Sequence, residues 1–466
     1  MQRVIIRFSE KVKNLLLYAI LTLLFLQFIK DTYPVYYLIV AFFISLSLII
    51  LLLESNFDLY NFNFVSSIYA AFLILLITSA IISLRYNDFP AAHLCHDYNI
   101  AKDTCFISLN TIIFSVVKML LMPAFVIYVS HLVINKKSLD SLILLFILFV
   151  CLASFSLFAQ LFFGHISIFG PPNAFRFMGF TPYSSSIGAV TTYATAFAFA
   201  SIMLMLHFKK LNFLVKFLLL SILLAGAVAS MGKAAIANII LVIFLLLIFL
   251  SNKDKIRFII YLICAFILMS FNDNFFNSFL SLFANTFGID FSGEMVNRGI
   301  YVPFYERVLD RFTGRNWTSD LVYLWELFIG WGTVGGGGAF GIAIDTSAEM
   351  FHGMTWSGLE RYNIYGWEKT VNTTHNQLID LFQIGGFLLI FTFVVLFLAM
   401  QYFLFLDYWV VGDTLSKALF VSNIAFIINA FVFNGILFQP YLSFIFWISV
   451  VYFVRFKNIR SEYNNV

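Results

Sequence analysis

Apolar runs of about 20 residues, parted by short polar breaks, recur from one end of the 466-residue chain to the other. A run of that length crosses the hydrocarbon of a bilayer as one helix. The composition agrees: 61% of residues are hydrophobic and only 11% are charged, against about 25% charged in soluble domains. A water-soluble enzyme is excluded, and so is a disordered chain, which needs low hydrophobicity. The net charge of +4 is too small to indicate nucleic acid, so the position of each charge matters more than the sum. The four cysteines form neither a disulfide framework nor a metal spacing.

The spacing predicts spans near 14–30, 34–53, 65–84, 109–133, 141–163, 185–206, 213–229, 234–251, 258–271, 377–405, 415–433 and 436–454. The expected fold class is therefore an all-α polytopic integral membrane protein of about twelve transmembrane helices. The N-terminal MQRVIIRFSEKVKN runs into the first span without a small-residue cleavage site, and reads as an uncleaved signal-anchor. The positive-inside rule orients the set. Arg3, Arg7, Lys11 and Lys13 hold the N-terminus in the cytoplasm, and the breaks at Lys136–Lys137, Lys209–Lys210 and Lys253–Lys255–Arg257 fall on the same side. So does the tail, with Arg455, Lys457 and Arg460. The break at 54–64 has no Lys or Arg and fits this scheme less well.

The far side then receives the 85–108 loop, the 164–184 loop, the short Ser230–Lys233 turn and one large loop over 272–376, between the ninth and tenth spans. The chain divides into 1–271 (nine spans), 272–376 (the large loop) and 377–466 (three spans and the tail). Loops this long are usually functional. This one holds five of the seven Trp and the tetraglycine Gly335–Gly338. Its Trp residues suit interfacial anchoring. Cys95 and Cys105 share one far-side loop, where they either pair or remain free thiols.

Cations on the far side run against the positive-inside rule and call for a reason. Arg176 lies in the 164–184 loop, Lys233 in ASMGKAAIAN, and Arg298, Arg307, Arg311, Arg315, Arg361 and Lys369 in the large loop. Arg suits phosphate because its planar fork donates two parallel hydrogen bonds. The alternative for each one is a surface ion pair with Glu294, Glu306, Asp310 or Asp320. Lys118 lies inside the fourth span, where a charge costs at least a few kcal/mol unless it faces a polar cavity or snorkels. His375, in VNTTHNQLIDLFQIGG, stands where the large loop re-enters the membrane at a helix start. The helix dipole there favours the neutral imidazole, as a general base requires.

Taken together, four segments resemble, in order, the O-antigen polymerase and O-antigen ligase family of bacterial inner membranes. FRFMGFTPYSSSIGA is similar to the family's Arg-x-x-Gly segment, and ASMGKAAIAN to its Ser-Arg-Gly turn. GRNWTSDLVYLWELFIGWGTVGGGGAFG resembles the start of its large periplasmic loop, and TTHNQLIDLFQIGG the His-Asn-x-x-Leu…Gly segment that closes it. The resemblance implies a fold related to the C-type integral-membrane glycosyltransferases, with both termini cytoplasmic and the active site periplasmic. It implies transfer of a glycan from undecaprenyl diphosphate to a hydroxyl acceptor without nucleotide sugar, cofactor or metal.

By position, His375 would activate the acceptor, with Asn376 beside it in the motif. Arg315 would bind the diphosphate, with Arg176 as a weaker candidate and Arg311 close by. Lys233 departs from the pattern, since Met231 follows Ser230 and the cation comes later, as Lys rather than Arg. Implied partners are the lipid-linked donor and acceptor glycans, membrane lipid and a chain-length regulator, with no nucleic acid. The expected activity is polymerisation of repeat units. The alternatives are a ligase acting on lipid A core or protein, and a transporter of the same lipid-linked sugars.

Overall fold

The computed structural model describes residues 64–84, 109–132, 136–163, 186–229, 233–270, 328–330, 377–432, 437–438 and 440–456, with Leu15, Tyr18 and Ala19. Regular structure among them is helical: α1 (Phe64–Ser83), α2 (Leu109–Leu132), α3 (Lys136–Phe163), α4 (Ser186–Leu206), α5 (Phe213–Ala229), α6 (Lys233–Phe249), α7 (Asn252–Ser270), α8 (Gln377–Leu406), α9 (Thr414–Val432) and α10 (Pro440–Phe456). A π-helical turn, Asp407–Val411, ends α8. Among the described residues, four segments are long and apolar enough to cross a membrane: Phe64–Ser83, Lys136–Phe155, Ile384–Val411 and Thr414–Phe431. This is compatible with an α-helical membrane protein. The expected span at 14–30, apart from Leu15, Tyr18 and Ala19, the span at 34–53 and the large loop, apart from 328–330, lie outside the described residues.

Two boundaries differ from the sequence expectation. Lys136 and Lys137 form the first turn of α3 instead of a break, and α7 starts at Asn252, so Lys253, Lys255 and Arg257 are helical. Long basic side chains can begin a helix because their heads still reach water from its end.

Helices α4 and α10 are the centre. Every residue from Thr195 to Leu206 and from Leu442 to Val454 is buried, as expected of helices that are apolar all round. Helix α10 packs on α1, α2, α4 and α9, and α4 on α3, α5, α6, α9 and α10. Phenylalanine side chains help fill this centre. Phe444 stacks on Phe146 with centroids 4.9 Å apart, and Phe446 on Phe426 at the same distance. The outer helices keep apolar stripes exposed at helical spacing: Ile74, Ile77 and Ile81 on α1, and Ile256, Ile259 and Ile263 on α7.

Since lipid is as apolar as leucine, helix association in a bilayer relies on close packing and small residues. The crossing of α3 and α5 shows this: a methyl group added at Gly226 would lie 2.5 Å from Ser154 Cα.

Candidate functional site

Helix α8 starts at Gln377, directly after His375 and Asn376, and Asp380 stands in its first turn. A carboxylate there complements the helix dipole. Gln377, Asp380, Leu381 and Ile384 are all fully buried. The Gln377 amide is pinned, because the Leu437 backbone N–H donates to its Oε1 at 3.0 Å. The Leu437 carbonyl in turn accepts a hydrogen bond from Trp447 Nε1 on α10 at 2.9 Å. Helix α8 thus begins on a chain of hydrogen bonds anchored in the central helix.

Two turns further on, α8 breaks at Gly385 (φ −137°, ψ 16°) and Gly386 (φ 62°, ψ −160°). The Gly386 conformation is open essentially to glycine alone. The break is filled by backbone from within the large loop. A Cβ on Gly386 would run into the Phe328 carbonyl, and one on Gly330 (φ 66°) would lie 2.5 Å from Gly385 N. Phe328–Gly330 and Ile384–Gly386, far apart in sequence, therefore meet main chain to main chain.

A second polar group lies between α4, α6 and α9. Asn238 and Asn429 exchange amide hydrogen bonds at 2.9 and 2.8 Å, and Asn429 Nδ2 also donates to the Ala425 carbonyl at 2.8 Å. Thr195 Oγ1 donates to Asn429 Oδ1 at 3.4 Å. Asn238 closes the ASMGKAAIAN segment, five residues into the helix that Lys233 begins.

The opposite helix ends carry a third group. His207 Nε2 lies 2.8 Å from Asp140 Oδ1, and Thr414 Oγ1 is 3.4 Å from His207 Nδ1. Asp413 caps α9, its Oδ2 accepting from Ser416 N–H at 3.2 Å and Ser416 Oγ at 2.7 Å. The Tyr452 hydroxyl lies 3.3 Å from Asp413 Oδ2 and 3.4 Å from Asp407 Oδ2. Burial alone would raise the Asp413 pKa, but the Ser416 hydroxyl, the Lys136 charge and the backbone N–H groups of Ser416 and Leu415 together hold it below the usual carboxylate range. Lys136 and Asp140 of α3, Tyr452 of α10, and His207 and Asp413 from two connections meet at one end of the bundle.

Of the residues singled out by sequence, Lys118 is the tenth residue of α2 and Lys233 the first of α6. Arg176, Arg311, Arg315, His375 and Asn376 lie outside the described residues, as do Cys95 and Cys105. Cys151 is a buried free thiol in α3, and Cys264 a free, half-buried one in α7. Reasoning from cations and histidines passed over Gln377, Asp380, Asn238 and Asn429. The signal for them was present, since a carboxylate or amide inside an apolar run is a polar group in lipid. Compared with protein-family models and with curated proteins, the chain matches none.

Proposed function

We propose that the chain polymerises undecaprenyl-diphosphate-linked oligosaccharide repeat units into O-antigen or a related surface polysaccharide, at the periplasmic face of a bacterial inner membrane. The observation that most supports this reading is the contact of Phe328–Gly330 with Gly385–Gly386. It ties the two segments that resemble the start and the close of the family's large loop, next to the helix that follows His375. In this reading the fold has about twelve spans, is related to the C-type membrane glycosyltransferases, and has both termini and the His207–Asp413 end in the cytoplasm.

The chemistry needs little beyond positioning and charge. The acceptor hydroxyl oxygen bonds to the anomeric carbon of the donor glycan, and the bond from that carbon to the diphosphate oxygen breaks. The electron pair leaves with the diphosphate, and the hydroxyl proton passes to His375. Arg315, assisted by Arg176, Arg311 and Lys233, neutralises the departing diphosphate, so no strong acid is needed. Holding both lipid carriers at one membrane face supplies the proximity term. Lys118 belongs to this set only if its head reaches the same polar space.

Gene deletion in the producing bacterium tests the assignment. A single repeat unit left on lipid A core supports polymerase. Loss of all glycan from the core supports ligase instead, and unchanged polysaccharide rejects both.

A further inference from the structure

The amide of Gln377 is half used. Its Oε1 accepts the Leu437 N–H at 3.0 Å, which fixes the orientation of the group, yet its Nε2 has no hydrogen-bond partner. The residue is fully buried. A buried amide donor left without a partner costs about 1–3 kcal/mol, and the pinned acceptor prevents it from turning to find one. The group is held from several directions: Leu437 is itself bonded to Trp447, Asp380 is buried one turn along α8, and the Gly385–Gly386 break carries the Phe328–Gly330 backbone beyond. A buried donor without a protein partner, on an amide held by its oxygen at the start of the helix that follows His375, has the properties of a preorganised ligand contact.

We propose that Gln377 Nε2 donates a hydrogen bond to an oxygen of the lipid-linked sugar diphosphate, making Gln377 a substrate-binding residue. This rests on the glycosyl-transfer reading above. The ligand atom is an acceptor oxygen, of either the diphosphate or the sugar next to it, since a neutral amide serves both.

The test uses the full chain in lipid nanodiscs, with undecaprenyl diphosphate and the undecaprenyl-diphosphate-linked repeat unit as probes. Gln377→Glu keeps an acceptor for Leu437 N–H and loses the donor. Gln377→Met removes both without burying a charge, and decides the matter if the Glu variant does not fold. The expected result is binding at least about tenfold weaker, the loss of one hydrogen bond, with the Met variant still showing a cooperative thermal transition. Weakening towards both probes assigns the diphosphate oxygen, and weakening only towards the glycan-bearing probe assigns the sugar. A folded variant that binds both probes within about twofold of the parent overturns the proposal. In the same preparation the parent must lengthen the glycan. If it does and the variants bind normally, only the Gln377 assignment fails. If it neither binds nor lengthens lipid-linked glycan, the transfer reading fails and the Gln377 assignment with it.

Discussion

Asn238 on α6 and Asn429 on α9 hold each other through two reciprocal amide hydrogen bonds, 2.9 and 2.8 Å long, with both side chains buried. The pair can form in only one helix register, so it selects the arrangement of α6 against α9 as well as stabilising it. Hydrogen bonds between helices in lipid contribute about 0.6 kcal/mol on average and up to about 1.7 kcal/mol. Asn238→Leu or Asn429→Leu alone is expected to cost about 1–2 kcal/mol, because the remaining amide loses its partner on the facing helix. The double Leu variant should cost less than the sum of the two. Thermal unfolding of the three variants in detergent checks the coupling, and strict additivity would sink it.

The break in α8 predicts a sharp glycine requirement. Gly386→Ala forces a Cβ into a φ/ψ region that costs about 1–3 kcal/mol, and drives it against the Phe328 carbonyl. Both effects act at the junction between the large loop and the membrane helices. The variant should unfold at lower temperature and lose polysaccharide polymerisation together. Gly412→Ala is the control. Its φ of 73° carries the backbone penalty, but nothing lies within 4 Å of the added methyl, so a smaller loss of stability with polymerisation retained is expected.

At the crossing of α3 and α5, Gly226→Ala should cost about 1–3 kcal/mol by overpacking. Ser154→Gly in the same chain should restore only part of it, because Ser154 Cα itself would lie 2.5 Å from the new methyl. Full rescue would show that the helices move apart freely, contrary to the packing described.

Asp413 predicts an acid-side dependence. Its folded-state pKa is lowered, so its charge adds stability that is present above the unfolded carboxylate value of about 3.9 and is lost as pH falls through the lower folded value. Asp413→Asn retains a good helix cap but removes the charge. The parent should have the higher thermal midpoint at neutral pH, and the gap should close below about pH 4. A gap that stays constant with pH would assign the effect to the cap alone.

For the proposed chemistry, His375→Ala should abolish glycan lengthening by at least about a hundredfold, the usual worth of a general base, without changing the thermal midpoint. Full polymer in cells carrying this variant rejects the catalytic role. Arg315→Lys should weaken polymerisation more than a simple charge argument allows, because Lys keeps the charge and loses the bidentate fork.

Much of the helix pattern was legible in the sequence, because a bilayer-length apolar run needs no tertiary information to be helical. The starts of α2, α5 and α8 fall at 109, 213 and 377, where the sequence places them. Asp380 and Gln377 were visible as polar residues beside His375, but their complete burial was not, since a helix start at a membrane surface can equally face water. Nor could periodicity single out α4 and α10 as the central pair. A helix that is apolar all round reads the same whether its neighbours are lipid or other helices.

What the sequence by itself determined is the helical, membrane-compatible class. The cause is local: hydrophobic length and charge act residue by residue. What only the tertiary structure decided is which segments meet. Gly330 reaches Gly385 from 55 positions away, and Asn238 finds Asn429 from 191. Those contacts depend on the mutual fit of helices that hydrophobicity cannot rank, because in lipid every apolar face is equally content until packing and hydrogen bonds choose between them.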